Sequence, residues 1–164
     1  DVLLASEGRA IVSVETLSEK NVHRAIQHPF SIVSSNGSGY SIDHAKTGDH
    51  VHPRNFGTFP RVFAEYVRRQ RSLSWEEAVH KMTGKPAKKF RLEERGLLKV
   101  GHIADVVVFN PETITDKATM EDPYQYAVGV EALMVNGVLV IENGVYNGKR
   151  SGKIYRKPHP WLPW

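Results

Sequence analysis

EALMVNGVLVIENG, residues 131–144, sets one apolar run before Asn136-Gly137 and another after it. An Asn-Gly pair between β-prone runs is the strongest short hairpin signal, because both residues tolerate the positive φ of a two-residue turn. Two more strand-like stretches flank this hairpin: ADVVVF (104–109) upstream and KIYRK (153–157) downstream. Gly96 and Gly101 bracket the approach to the first of them and permit turns that other residues resist. The second half of the chain is therefore read as mostly antiparallel β.

The first half follows another period. Phe59, Val62, Phe63, Tyr66 and Val67 form a helical apolar stripe, with Thr58 as its cap and Pro60 in its first turn. Ser74-Trp75-Glu76-Glu77 is a capping box opening a helix with Trp75, Ala78, Val79 and Met82 inward and Gly84 at its end. Pro86 starts a short helix through Leu92. Further upstream, AIVSVETL (10–17) reads as a strand, Ser18 to Gln27 as a helix that Pro29 stops, and SIVSS (31–35) as a second strand, together a βαβ unit. The expected organisation is 1–95 as an α/β portion, 96–157 as a β portion, and 158–164, PHPWLPW, as a tail with a lone PxxP.

Composition narrows the chemistry. The 164 residues are 40% hydrophobic and 24% charged, ordinary for a globular domain, and contain no cysteine, so disulfides and thiolate metal sites are excluded. No apolar run approaches the roughly 20 residues that span a bilayer, and the expected compartment is cytoplasmic. A chain opening on Asp1 is expected to be a fragment, a processed piece or a recombinant product. The net charge of +4 comes from RRQR (68–71), KPAKKFR (85–91) and KRSGKIYRK (149–157). The first two sit in helical segments where basic residues fill the solvated face, and no nucleic-acid module surrounds the clusters, so neither a nucleic acid nor a membrane is an expected partner.

Residues 33–39, VSSNGSG, end a strand in a small polar corner, and residues 36–57 continue as a loop long enough to be functional. Asn36 there is either a working position or a turn residue that tolerates an unusual conformation beside Gly37. His50-Val51-His52 has the H-x-H form of a metal pair but lies in a loop. Ser34, Ser35 and Ser38 have no triad order, and His80, Met82 and Trp75 have helical packing spacing, so no nucleophile or cofactor box is assigned.

RGLLKVGHIADVVVFN (95–110) followed by VNGVLVIENG (135–144) resembles the C-terminal signature of the amidohydrolase superfamily. HPR (52–54), GTFPRV (57–62), KMTG (81–84) and MEDPYQYAVGVEALMVNG (120–137), in that order, are similar to the N-acyl-D-amino-acid deacylases, or D-aminoacylases. The likeness covers residues 18–157. It implies an α/β fold: the C-terminal fragment of a (β/α)8 barrel plus strands of a small accessory β-sandwich. A complete barrel takes about 250 residues. The implied reaction is hydrolysis of the amide of an N-acylated D-amino acid by zinc-activated water. The zinc ligands would lie upstream, so no metal ligand and no bound zinc are expected in this chain, which would be inactive by itself.

The resemblance also places residues. Asn36 falls where the family has its catalytic Asp, and an amide cannot carry the proton that a carboxylate carries. Asp43 or Asp49 could substitute, or deamidation of Asn36-Gly37 could restore an acid. Arg54 matches the arginine associated with gripping the substrate carboxylate, with His52 as a weaker binding candidate; the competing reading is a loop arginine paired to Asp43 or Asp49. Arg61 is read as structural. The expected partners are the upstream barrel portion, a small N-acyl-D-amino acid in the complete enzyme, and a second copy through exposed strand edges. The alternatives are a noncatalytic remnant or interaction module, and a dihydroorotase-like or hydantoinase-like amidohydrolase, against which HPR and GTFPRV argue.

Overall fold

The computed structural model describes residues 1–8, 14 and 16–155. It divides into two compact units, Asp1–Ser31 and Ile32–Trp164. In the first, α1 (Val2–Ala5) is capped by the Asp1 carboxylate, which accepts from the Leu3 N–H. The helix expected after Ser18 is α2 (Glu19–Gln27), with the Ser18 hydroxyl accepting from Asn21 N–H at its open N-terminus. It stops just before Pro29. Most of the strand read over 10–17 lies outside the described residues.

The strand read over 31–35 does not form. SIVSS is not part of a described sheet: Val33 donates one backbone bond to the Lys81 carbonyl, 3.1 Å away, and no ladder forms. An extended segment becomes a strand by pairing, and no described segment lies alongside to pair with it.

α3 (Arg54–Arg61) begins four residues earlier than Thr58 suggests, at the His52-Pro53 turn. Thr58 is no cap; its hydroxyl donates back to the Arg54 carbonyl at 2.9 Å. Pro60 sits inside the helix, where its missing N–H leaves the Phe56 carbonyl without the usual i→i−4 donor. Immediately beyond, Val62–Arg69 continues with the wider i→i+5 spacing of a π-helix, closed by Gln70 N–H to Glu65 O at 2.8 Å. This changed step buries Val62, Phe63, Tyr66 and Val67 but leaves Phe59 exposed.

The capping box forms as read: Ser74 Oγ accepts from Glu77 N–H and the Glu77 carboxylate from Ser74 N–H, opening α4 (Trp75–Met82). Ala78 is fully buried, whereas Val79 is exposed and Lys81 takes an inward place. Thr83, not Gly84, ends α4, and Gly84 begins α5 (Gly84–Phe90).

The Asn136-Gly137 hairpin is present, with φ of 51° and 76°. β1 (Val106–Phe109), β2 (Val130–Val135), β3 (Val138–Glu142) and β4 (Val145–Tyr146) form an antiparallel meander in chain order. Val107 pairs with Leu133 and Val135 with Val138, with irregularities at Val108/Phe109 and Leu133/Met134. The helices meet this sheet through stacked rings: Phe63 lies 4.8 Å from Phe109 and 5.4 Å from Trp75.

The described part of KIYRK, residues 153–155, adds no strand, and 156–157 and the tail lie outside the described residues. Tyr155 is instead drawn to Arg95, which donates to its hydroxyl, to Asp105 and to the Asn136 side-chain carbonyl. Asp105 also accepts from Asn136 N–H at 2.8 Å, and Asn136 Nδ2 donates to Ser151 O at 2.5 Å. The hairpin turn is thereby tied to both flanking segments.

Candidate functional site

The stretch 36–57 is not one structureless loop. A 3₁₀ turn spans Ile42–Thr47, and α3 already occupies its end. Tyr40, His44, Asp49 and Tyr124 hold its middle. His44 pairs with Asp49 at 3.2 Å under the Tyr40 ring, and the Tyr124 hydroxyl donates to the Asp49 carbonyl at 2.9 Å. Burial, with the nearby Asp49 and Tyr40, raises the Tyr124 phenol above its ordinary pKa.

The two sequence candidates come together at the loop's ends. Asn36 adopts a left-handed φ of 48°, and Gly37 N–H donates to Ser35 Oγ at 3.1 Å. Ser38 N–H donates to Asn55 Oδ1 at 2.6 Å, and Asn55 Nδ2 donates to the His52 carbonyl at 2.7 Å. One amide side chain thus spans from the Asn36 corner to the HPR turn. The approach is close enough that a Cβ on Gly37 would stand 2.9 Å from Asn55 Oδ1 and 3.3 Å from the Arg54 carbonyl, so a side chain there would push the Asn55 amide from its place.

His52 Nδ1 accepts from Arg54 N–H at 3.0 Å, which occupies the first free donor of α3. Partial burial, and then the Arg54 charge, lower the imidazole below its ordinary pKa, favouring the neutral acceptor. The Arg54 side chain is exposed and makes no ion pair with a described residue. The carboxylates that might have neutralised it are engaged elsewhere: Asp43 with Lys46 at 2.5 Å, and Asp49 with His44. The Lys46 hydrogen bond and charge also hold Asp43 below the usual carboxylate range. This engagement bears equally on their substitution for an Asp at position 36.

His50 and His52 do not assemble a metal centre; among the described residues no three His, Asp or Glu side chains converge to hold an ion. Arg61 pairs with Asp116 at 3.2 Å. That pair belongs to a groove of about 540 Å³ whose other arginines, Arg68 and Arg69, are directed to the Pro111 and Ile114 carbonyls and to Glu65. A basic run at 68–71 is thus largely spent within the fold. Asn55 is the site residue that sequence reading missed. Its signal was slight, an amide following Pro-Arg at a helix start, because its partner is seventeen positions away.

Comparison with known proteins gives this geometry a context. A family model for amidohydrolases matches residues 3–141. The chain is 39% identical over 148 residues to an N-acyl-D-aspartate deacylase of Alcaligenes xylosoxydans xylosoxydans, covering 90% of this chain and 28% of that protein. It is 40% identical over 141 residues to an N-acyl-D-glutamate deacylase of the same organism, covering 86% and 27%. Among solved structures, an N-acyl-D-glutamate deacylase from Bordetella bronchiseptica, complexed with zinc and a phosphonate mimic of the tetrahedral intermediate, matches with a TM-score of 0.73. The identity is 39%, over 86% of this chain and 28% of that one. The chain spans a little over a quarter of the length of these relatives.

Proposed function

The chain belongs to the amidohydrolase family, and on that premise we propose that it is part of a zinc-dependent N-acyl-D-amino-acid deacylase, contributing the substrate side of the site. Residues 31–35, which form no ladder among the described residues, would become the last strand of a (β/α)8 barrel on pairing with upstream strands, and β1–β4 would belong to an accessory β-sandwich. The unpaired Val33 segment is compatible with that arrangement.

The observation that carries the reading is the clamp of Asn55 between Ser38 and His52. It sets the Asn36 corner against the turn that presents Arg54. Arg54, without an ion pair among the described residues, offers two parallel N–H donors to a substrate carboxylate and so fixes which way the chiral carbon faces. Asn36 takes the place of a general base and can orient a water or the substrate amide without accepting a proton. In this reading the zinc ligands come from the remainder of the family protein, and no step at the metal is assigned to this chain.

The test joins this chain to the remaining span of a family member, with zinc, and measures hydrolysis of N-acetyl-D-amino acids. Asn36→Asp is expected to raise kcat by about 10²–10⁴, the usual worth of a positioned acid or base. Equal rates for the two would overturn the role of position 36. Arg54→Ala is expected to raise KM far more than it lowers kcat, and an unchanged KM would remove Arg54 from the substrate.

A further inference from the structure

We propose that Asn36 is a site of spontaneous deamidation, through which the chain acquires a carboxylate at this corner by its own chemistry. The functional consequence rests on the reading of position 36 given above; the modification itself does not. The reaction is intramolecular. The Gly37 backbone nitrogen loses its proton and bonds to Asn36 Cγ, the side-chain nitrogen leaves as ammonia, and a five-membered imide forms. Water then opens the imide at Cγ to give aspartate, or at the backbone carbonyl to give isoaspartate. Water is consumed and ammonia released, with no oxidant or reductant.

Four Asn-Gly pairs occur in the chain, at 36–37, 136–137, 143–144 and 147–148, and the fold treats each differently. Two requirements separate them: a side chain free to rotate into the attack, and a glycine N–H able to shed its proton. Asn136 fails both, because its side chain is held by Arg95 and Ser151 and the Gly137 N–H by the Ala104 carbonyl at 2.9 Å. Asn147 fails the first. Its Nδ2 donates to Leu139 O at 2.9 Å and its Oδ1 accepts from Lys149 N–H at 3.1 Å.

Asn143 has no side-chain hydrogen bond among the described residues, but the Gly144 N–H is held at 3.0 Å by the Glu131 carbonyl, which cannot relay a proton. Asn36 meets both conditions. Its exposed side chain has no hydrogen-bond partner among the described residues, and the Gly37 N–H points at the Ser35 hydroxyl, a group that both accepts and donates. The absence of a side chain at Gly37 also leaves its nitrogen unshielded.

The experiment incubates the freshly purified 164-residue chain at mildly alkaline pH and follows each Asn-Gly peptide by mass spectrometry, folded and in urea. In the folded chain the amide-to-acid mass gain is expected first at Asn36, later at Asn143, and last at Asn136 and Asn147; urea should bring the four rates together. Conversion of Asn143 before Asn36, or an Asn36 peptide unchanged while the others convert, would overturn the proposal. Ser35→Ala separates the proton relay from simple exposure and is expected to slow position 36 selectively. An aged sample is then compared with Asn36→Asp in the joined-enzyme assay. Mass gain with no gain in hydrolysis by either would leave the modification standing and remove position 36 from catalysis.

Discussion

The corner at Asn36-Gly37 and the corner at Asn136-Gly137 start from the same dipeptide and nearly the same left-handed asparagine, φ 48° and 51°. One is bare and the other is saturated. Around Asn136 an arginine, two backbone carbonyls and a carboxylate occupy the polar groups of the turn. Around Asn36 the neighbours hold the backbone on both sides, through Ser35 and Asn55, and leave the side chain itself unpartnered among the described residues. Local sequence sets the turn; what surrounds it decides whether the turn holds a sheet together or presents a group outward. The sharpest way to break the contrast is to strip the saturated corner. Arg95→Ala leaves Asp105 and Asn136 without their shared donor, and because that side chain is only 10% exposed the loss is expected to be about 3 kcal/mol, read as a lower urea midpoint. A change within measurement error would mean that the network closes without its arginine.

A direct exchange between the corners comes next in size. Asn136→Ala loses the bonds to Arg95 and Ser151 and incurs the left-handed penalty, about 2 kcal/mol together. Asn36→Ala incurs the backbone penalty alone, about 1 kcal/mol. Urea unfolding of the pair measures the difference, and equal losses would show that the bonds at 136 contribute nothing net.

How far each corner could be read from sequence follows from the same contrast. The 136 hairpin, the Ser74 capping box and the stripe through Val62 and Phe63 were legible because their determinants lie within a few residues of one another. The Arg95 hub and the Asn55 clamp were not, since the first joins positions 41 and 60 apart and the second positions 17 apart. Local pattern misled where pairing or register was decided elsewhere. SIVSS has strand composition but no described neighbour, and Thr58-Phe59-Pro60 has the form of a helix start but lies inside a helix already nucleated at Arg54.

Asn55→Ala tests whether the bare corner is held at all. Removing the acceptor of Ser38 N–H is expected to cost about 1 kcal/mol and, more diagnostically, to speed exchange of the Ser38 amide while leaving the Asn136 amide protected. Asn55→Asp keeps an acceptor for Ser38 but loses the donor to His52, so it should protect Ser38 and release only the HPR turn. If Ser38 exchanges equally fast in all three proteins, the clamp does not form in solution.

The smallest expected effect is one of pH at the other end of that clamp. His52 has its pKa lowered in the fold, by burial first and by Arg54 second, so the unfolded chain takes up the proton more readily than the folded one. The contribution is therefore intact above the ordinary imidazole value, declines as pH falls through it, and is fully lost below the folded value. Protonation at Nδ1 also converts the acceptor of Arg54 N–H into a donor, so the first turn of α3 should loosen over the same window. Exchange of the Arg54 amide, normalised for intrinsic exchange at each pH, is expected to quicken on acidification in the unaltered chain. In His52→Ala it should be fast at every pH, because no acceptor remains to titrate. The Asn136 corner, whose bonds involve no histidine, is the internal reference and should not follow. A parallel response at both corners would assign the effect to general acid loosening of the second unit instead of to this imidazole.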